Sequence, residues 1–264
     1  MSTPRATFAG RIICGRAVRS WYVEHRPPAA GADLVSCGWS AAPGWSRPLR
    51  LLPDGCVDVS WDGCRLRVTP ARAAPTTVEV SDRPVTAGIR LHPHAAVAVF
   101  GRPMPQLDAP MRLDELWPPS VVEVLLAALT TCASSPAPDD AIAILTAAVV
   151  ERSTELSNRP DPSVAHAIRC LDEPGPTVGG VAAALGVSER TMHRRVLGDV
   201  GLAPKQMHEI LRFRRAFDAF GSADLATVAV TAGYYDQSHL ARWCGRLAGT
   251  TPARLAAGCH VRRR

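Results

Sequence analysis

The sequence predicts an α+β chain: a mainly-β first half with a short helical segment, then an all-α region carrying two helix-turn-helix units. Three observations predict it. Short apolar runs broken by Pro, Gly and Asp fill the stretch from Trp21 to about Thr86. Apolar residues at helical spacing take over after Trp117, and a helix–Gly–turn–helix pattern then occurs twice.

In the first half, Val57, Val59 and Trp61 alternate with Asp58 and Ser60, the period-two signature of a half-buried strand. Leu34–Trp39, Arg65–Val68 and Arg83–Leu91 read as further strands, which suits a small barrel or sandwich. Pro53-Asp54-Gly55 is a turn, because Pro presets φ and Gly accepts a positive one. Ser120–Thr131 and Asp139–Leu156 carry Leu, Ile, Val and Ala at helical spacing, with Asp139 or Asp140 as the N-cap of the second. Asn158-Arg159-Pro160-Asp161-Pro162 interrupts the pattern and sets a boundary. The expected division is 1–118 (mainly β), 119–159 (a helical segment packing on it or linking) and 160–264 (all α).

The repeat lies in the last part. One copy runs Val181–Ser188, Glu189–Val196 and Gly201-Leu202-Ala203-Pro204; the other runs Val228–Tyr235, Asp236–Cys244 and Gly249-Thr250-Thr251-Pro252. Gly186 to Gly201 is 15 residues and Gly233 to Gly249 is 16. Two helices crossing steeply need small side chains at the contact, which Ala182 and Ala229 provide. The first helix of each pair needs a residue tolerant of positive φ at its end, Gly186 or Gly233. The second needs its first N–H groups capped, a task for Ser188 and Asp236. Met192/Val196 and Leu240/Cys244 then face the core. Arg190, His193 and Arg194 are left outside on one helix, with Gln237, Ser238, Ala241 and Arg242 on the other. Such a face suits the major groove, where Arg pairs with guanine and Gln with adenine. An ordinary helical bundle would not be expected to repeat this spacing twice. Between the copies, Met207, Ile210, Phe213, Phe217 and Phe220 form one apolar stripe of a helix that sets the separation of the two units. Arg212, Arg214 and Arg215 lie off that stripe, available for phosphate, solubility or intramolecular pairing.

Charge and cysteine content narrow the function classes. From Pro160 onward there are 14 Lys+Arg against 9 Asp+Glu, while the whole chain has 30 against 24. The basic excess is therefore concentrated at the C-terminal end, as a nucleic-acid partner requires. No two of the eight cysteines have the short gap of a zinc knuckle, so buried reduced thiols are expected. Met1–Ser20 does not read as a signal peptide, and Val121–Leu129 and Ala141–Val150 are about half the length that spans a bilayer. The expected location is the cytoplasm.

The residues from Ser163 to Ala257 resemble the AraC/XylS family of bacterial transcription regulators. Ala232–Arg242 followed by Gly249-Thr250-Thr251-Pro252 carries most of the likeness, with Leu185–Ser188 and Met192-x-Arg194 in the first copy. Tyr234, Leu240 and Cys244 stand where Phe is commoner in that family. The resemblance implies a seven-helix domain that reads successive major-groove turns on one face of double-stranded DNA. By matching position, Arg190, His193 and Arg194 would read bases from one unit, and Gln237, Ser238 and Arg242 from the other. Leu52–Asp58, Ala87–Ala96 and Leu113–Trp117 resemble an uncharacterised N-terminal domain found in some of these regulators. That likeness implies a sensor-like half that binds a small-molecule effector or forms a homodimer, and allows contact with RNA polymerase.

The rival from the enzyme class is an adaptive-response DNA alkyltransferase, which joins the same C-terminal domain to a zinc-bound reactive Cys. It needs a thiolate cluster, whereas Cys56 and Cys64 are widely spaced. His92 and His94 alternate at a strand end without a carboxylate partner, and Asp54 and Asp58 have no clear common face. The expectation is a regulator that is not an enzyme and takes neither cofactor nor metal.

Overall fold

A computed structural model describes residues 21–42, 47–80, 86–131 and 138–258. Arg83–Val85, the Pro136-Ala137 break, the N-terminal segment to Ser20, and Cys14, Cys132 and Cys259 lie outside the described residues.

The strands are β1 Trp21–His25, β2 Val35–Ala42, β3 Arg47–Leu51, β4 Val57–Trp61, β5 Leu66–Thr69, β6 Thr76–Val80, β7 Thr86–Leu91 and β8 Met111–Arg112. They form an antiparallel six-stranded sheet in the order β1-β2-β7-β4-β5-β8 and a separate β3–β6 ribbon. A closed barrel is not what the described residues show. The alternation in β4 puts Val57, Val59 and Trp61 in the core, with Asp58 and Ser60 on the opposite face. Across β4 and β7, Asp58 faces Arg90 and Val59 faces Ile89, so the register aligns apolar with apolar and charge with charge. Trp39 lies flat over Gly88, where a side chain would collide with the indole at 2.5 Å.

The apolar face is covered by α1 Ala96–Phe100, α2 Pro119–Thr131 and α3 Pro138–Glu155. Val122, Leu125, Leu129, Ile142, Leu145 and Val149 join Val59, Ile89 and Leu91 in one core. The helical segment thus packs on the sheet. Because α3 begins at Pro138, Asp139 and Asp140 occupy its first turn instead of the cap. Carboxylates there complement the helix dipole, and Asp139 also meets His25 Nδ1 at 2.7 Å. The strand before His92 ends at Leu91, so His92 and His94 sit in the turn into α1, their rings stacked at 5.4 Å.

The second half consists of α4 Pro162–Asp172, α5 Val178–Ala184, α6 Glu189–Val200, α7 Pro204–Ala219, α8 Leu225–Thr231, α9 Gln237–Ala248 and α10 Pro252–Gly258. Asp161 caps α4, its side chain accepting from Ser163 N at 2.8 Å. Met207, Ile210, Phe213 and Phe217 of α7 are wholly buried at the centre of a core that reaches from Val164 to Leu255. The first half contributes to this core too: Leu52 is one of its members. Gly55 packs over Met207, and Gly201 at the end of α6 packs over Met104.

Candidate nucleic-acid interface

The two repeat copies become two helix pairs, α5–α6 and α8–α9. Their first helices end at Gly186 (φ 66°) and Gly233 (φ 89°), and their second helices end at Gly201 (φ 82°) and Gly249 (φ 63°). All four glycines occupy the left-handed region that a side chain resists. Pro204 and Pro252 then open α7 and α10, where the missing N–H costs nothing.

Each second helix is capped by the residue before it. Ser188 Oγ accepts from Thr191 N at 3.1 Å, and Asp236 Oδ1 accepts from His239 N at 2.7 Å. Two further caps carry a recognisable local signal, Thr or Asp just ahead of an apolar run. Thr177 accepts from Gly180 N at 3.0 Å, and Asp224 accepts from Ala226 N and Thr227 N. The crossings are tight because Ala182 and Ala229 are buried where the paired helices meet.

With Met192 and Val196 buried on one side of α6, Arg190, His193 and Arg194 are exposed on the other. With Leu240 and Cys244 buried under α9, Gln237, Ser238, Ala241 and Arg242 are exposed. No ion pair engages Arg190, Arg194 or Arg242 among the described residues. The arginines of α7 differ. Arg214 and Arg215 both pair with Asp172, Arg215 also donates to Ala232 O at 3.3 Å, and Arg212 lies 5.3 Å over the Tyr234 ring. They tie α7 to α4 and to the turn between α8 and α9.

That second turn is further braced by aromatics. Tyr234 is buried in edge contact with His239, whose Nε2 accepts from Trp243 Nε1 at 2.9 Å. Arg246 lies 4.5 Å over the Trp243 ring. Tyr235, beside the cap residue Asp236, is 88% exposed, an aromatic at the rim of the polar face that the sequence reading passed over.

The first half holds a second polar arrangement. Arg90 is buried among three carboxylates: Asp54 Oδ2 at 2.9 Å, Asp58 Oδ2 at 2.8 Å and Glu24 Oε1 at 3.6 Å. Asp54 and Asp58 therefore do converge, on a strand arginine that spacing within one segment could not reveal. Burial pushes the Asp58 carboxyl up to about 6, opposed by Arg90 and helped by Asp54. Cys56 does not suit a reactive thiolate: it is buried, and desolvation raises its thiol well above the usual range. Among the described residues no three His, Cys, Asp or Glu side chains could hold a metal ion. The alkyltransferase alternative has no support.

Two capped helices with outward polar faces, carried on one shared core, define a pair of helix-turn-helix units. Residues 181–258 match the helix-turn-helix domain family, and residues 23–109 match a domain of unknown function, DUF6597. The chain thus carries a domain of that type ahead of a C-terminal helix-turn-helix domain. Among solved structures, it is similar to a transcriptional regulator with an AraC-type DNA-binding domain from Chromobacterium violaceum (19% identity, 38% of this chain and 96% of that one, TM-score 0.36). It is also similar to the C-terminal domain of AraT, a response regulator from Geobacillus stearothermophilus (18% identity, 39% and 90%, TM-score 0.36). ToxT from Vibrio cholerae is similar over more of the chain (7% identity, 91% and 98%, TM-score 0.44). No curated protein matches it. Among the described residues, no helix is long and apolar enough to cross a membrane.

Proposed function

We propose that α6 and α9 enter successive major-groove turns on one face of double-stranded DNA and read its sequence together. Arg190, His193 and Arg194 make the base contacts of the first unit, and Gln237, Ser238 and Arg242 those of the second. The observation that carries this reading is the pair of exposed, internally unpaired basic faces on two helices with the same cap-to-glycine construction. Tyr235 packs at the groove edge against sugar and phosphate.

In this reading the protein is not an enzyme; it regulates transcription from the bound site. The functional division falls at Pro160, with residues 1–118 and the helical segment 119–159 responding to an effector or mediating homodimer formation. One chain already carries two reading heads, so tight binding does not require a dimer. Contact with RNA polymerase would follow from activation.

The test is selection of bound duplexes from a random pool, followed by affinity measurements. Arg242→Ala is expected to cost about 1–3 kcal/mol on the selected site and to relax preference at one base position. Equal losses on selected and random duplexes would make Arg242 a phosphate contact and overturn its reading role.

A further inference from the structure

A cavity of about 60 Å³ opens on the polar face of the sheet, bordered by Leu52, Pro53, Asp54, Asp58, Arg72 and Arg90. Three atoms of these residues are shut off from solvent without a hydrogen-bond partner: Asp58 Oδ1, an acceptor, and the donors Arg72 Nε and Arg90 Nε, of which the last already lies 2.9 Å from the Asp54 carboxylate and leaves the other two open. Arg72 is anchored through a different nitrogen, its Nη2 donating to Asp108 O at 3.2 Å. A buried donor and a buried acceptor left open are costly, and each calls for a partner. The bordering charges balance, two carboxylates against two guanidinium groups. A charged ligand would bring an unmatched charge into this desolvated place. An uncharged ligand that carries both a donor and an acceptor offers a partner to each kind of open atom. Carboxamide and ureido groups are small groups of that kind. Arg90 already occupies the centre of the carboxylates, where a metal ion would have to sit.

The same cavity touches the second half of the molecule through one turn. Leu52 and Asp54 border the cavity, yet Leu52 is also buried in the core around α7. Between Asp54 and Cys56, Gly55 (φ 78°) lies so close to Met207 that a Cβ would stand 2.6 Å from its sulfur. Asp54 holds the turn from inside, accepting from Cys56 N at 2.9 Å while pairing with Arg90. A shift of this turn therefore presses on α7, the helix that carries both reading units.

We propose that this cavity binds the carboxamide or ureido group of a small uncharged effector, and that the Leu52–Cys56 turn passes its occupancy to α7. The proposal rests on the regulator reading above, whose effector it specifies.

The experiment uses the full chain with acetamide and methylurea as probes, and methylammonium and acetate as charged comparators. Binding is followed by ligand-observed NMR, and DNA affinity by fluorescence anisotropy on a selected duplex. Saturable binding of the two neutral probes is expected, weakened about fivefold in Arg72→Met, the loss of roughly one hydrogen bond. Unfolding temperature checks that the variant is folded, and Arg72→Gln, which keeps a donor, should recover part of the binding. Saturating neutral probe should change DNA affinity by about fivefold or more. No saturable binding, preference for a charged comparator, or undiminished binding in folded Arg72→Met would overturn the site. Probe binding without any change in DNA affinity would overturn the coupling. A chain that binds the neutral probes but no DNA would instead sink the regulator reading and leave the site standing.

Discussion

At the scale of single residues, the interface separates arginines by what they already touch. Arg214 and Arg215 are engaged with Asp172. Arg190, Arg194 and Arg242 have no ion-pair partner among the described residues, so a phosphate or a base edge meets no internal competition. His208 on α7 shows how closely the arginines crowd this helix. Burial, with Arg212 and Arg215 nearby, lowers its pKa to about 4 from an ordinary 6.5. Between those two values the unfolded chain takes up a proton that the folded chain refuses, so acidification favours unfolding. His208 adds no such penalty above pH 6.5; the penalty grows as pH falls from there toward 4. Urea titrations at pH 7.5 and pH 5 should therefore show a smaller acid-induced loss in His208→Gln than in the parent chain. Asp58 and Asp199, both pushed up to about 6, act in the opposite direction, but they are common to both proteins and cancel in the difference. Equal losses in the two proteins would show that the histidine is freely protonated in the fold.

At the scale of elements, the two helix pairs are built from one recipe: cap, apolar side inward, polar side outward, glycine stop. Cys244 and Leu240 are both wholly buried, so α9 is seated on the core by side chains of modest volume. The rigid member is α7, whose Met207, Ile210, Phe213 and Phe217 fill the space between the pairs. Because α7 packs between α6 and α9, the proposed reading fixes the spacing of the two halves of a DNA site as well. Inserting half a helical turn, about five base pairs, between the halves would rotate one of them to the far side of the duplex. Affinity should then fall to that of a single half-site, measurable by anisotropy with matched duplexes. Retained affinity would mean that only one unit reads the site.

At the scale of the whole molecule, the sheet half docks on the back of the reading half. Contacts run through Leu52, Gly55 and Met104 to α7 and the end of α6, away from Arg190, His193 and Arg194. The docked half therefore leaves Arg190, His193 and Arg194 exposed while it touches the helices that support them. In the proposed reading, the basic excess after Pro160 makes association with DNA strongly electrostatic. Each phosphate neutralised releases condensed counterions, with a slope of about −0.9 per contact in log affinity against log salt. Full-chain titrations across a salt series should give a steep line for selected and random duplexes alike. A flat response would remove the backbone component from the reading.

The all-α half was legible in the sequence because its determinants are local. A Ser or Asp cap, a glycine stop and apolar residues one helical turn apart lie within a few positions of each other, as Ser188, Gly201 and Met192/Val196 do. The strand alternation of Val57–Trp61 was local in the same way. Caps such as Thr177 and Asp224 are equally local, each one residue ahead of the helix it starts. What spacing could not show was the pairing of elements far apart in the chain. The Arg90 cluster joins β1, β4, β7 and the Pro53–Gly55 turn, and the docking of Leu52 among the residues of α7 depends on how two cores meet. Periodicity reports which side of an element is apolar; only the closed chain decides which other element covers it, and so which buried charges find one another.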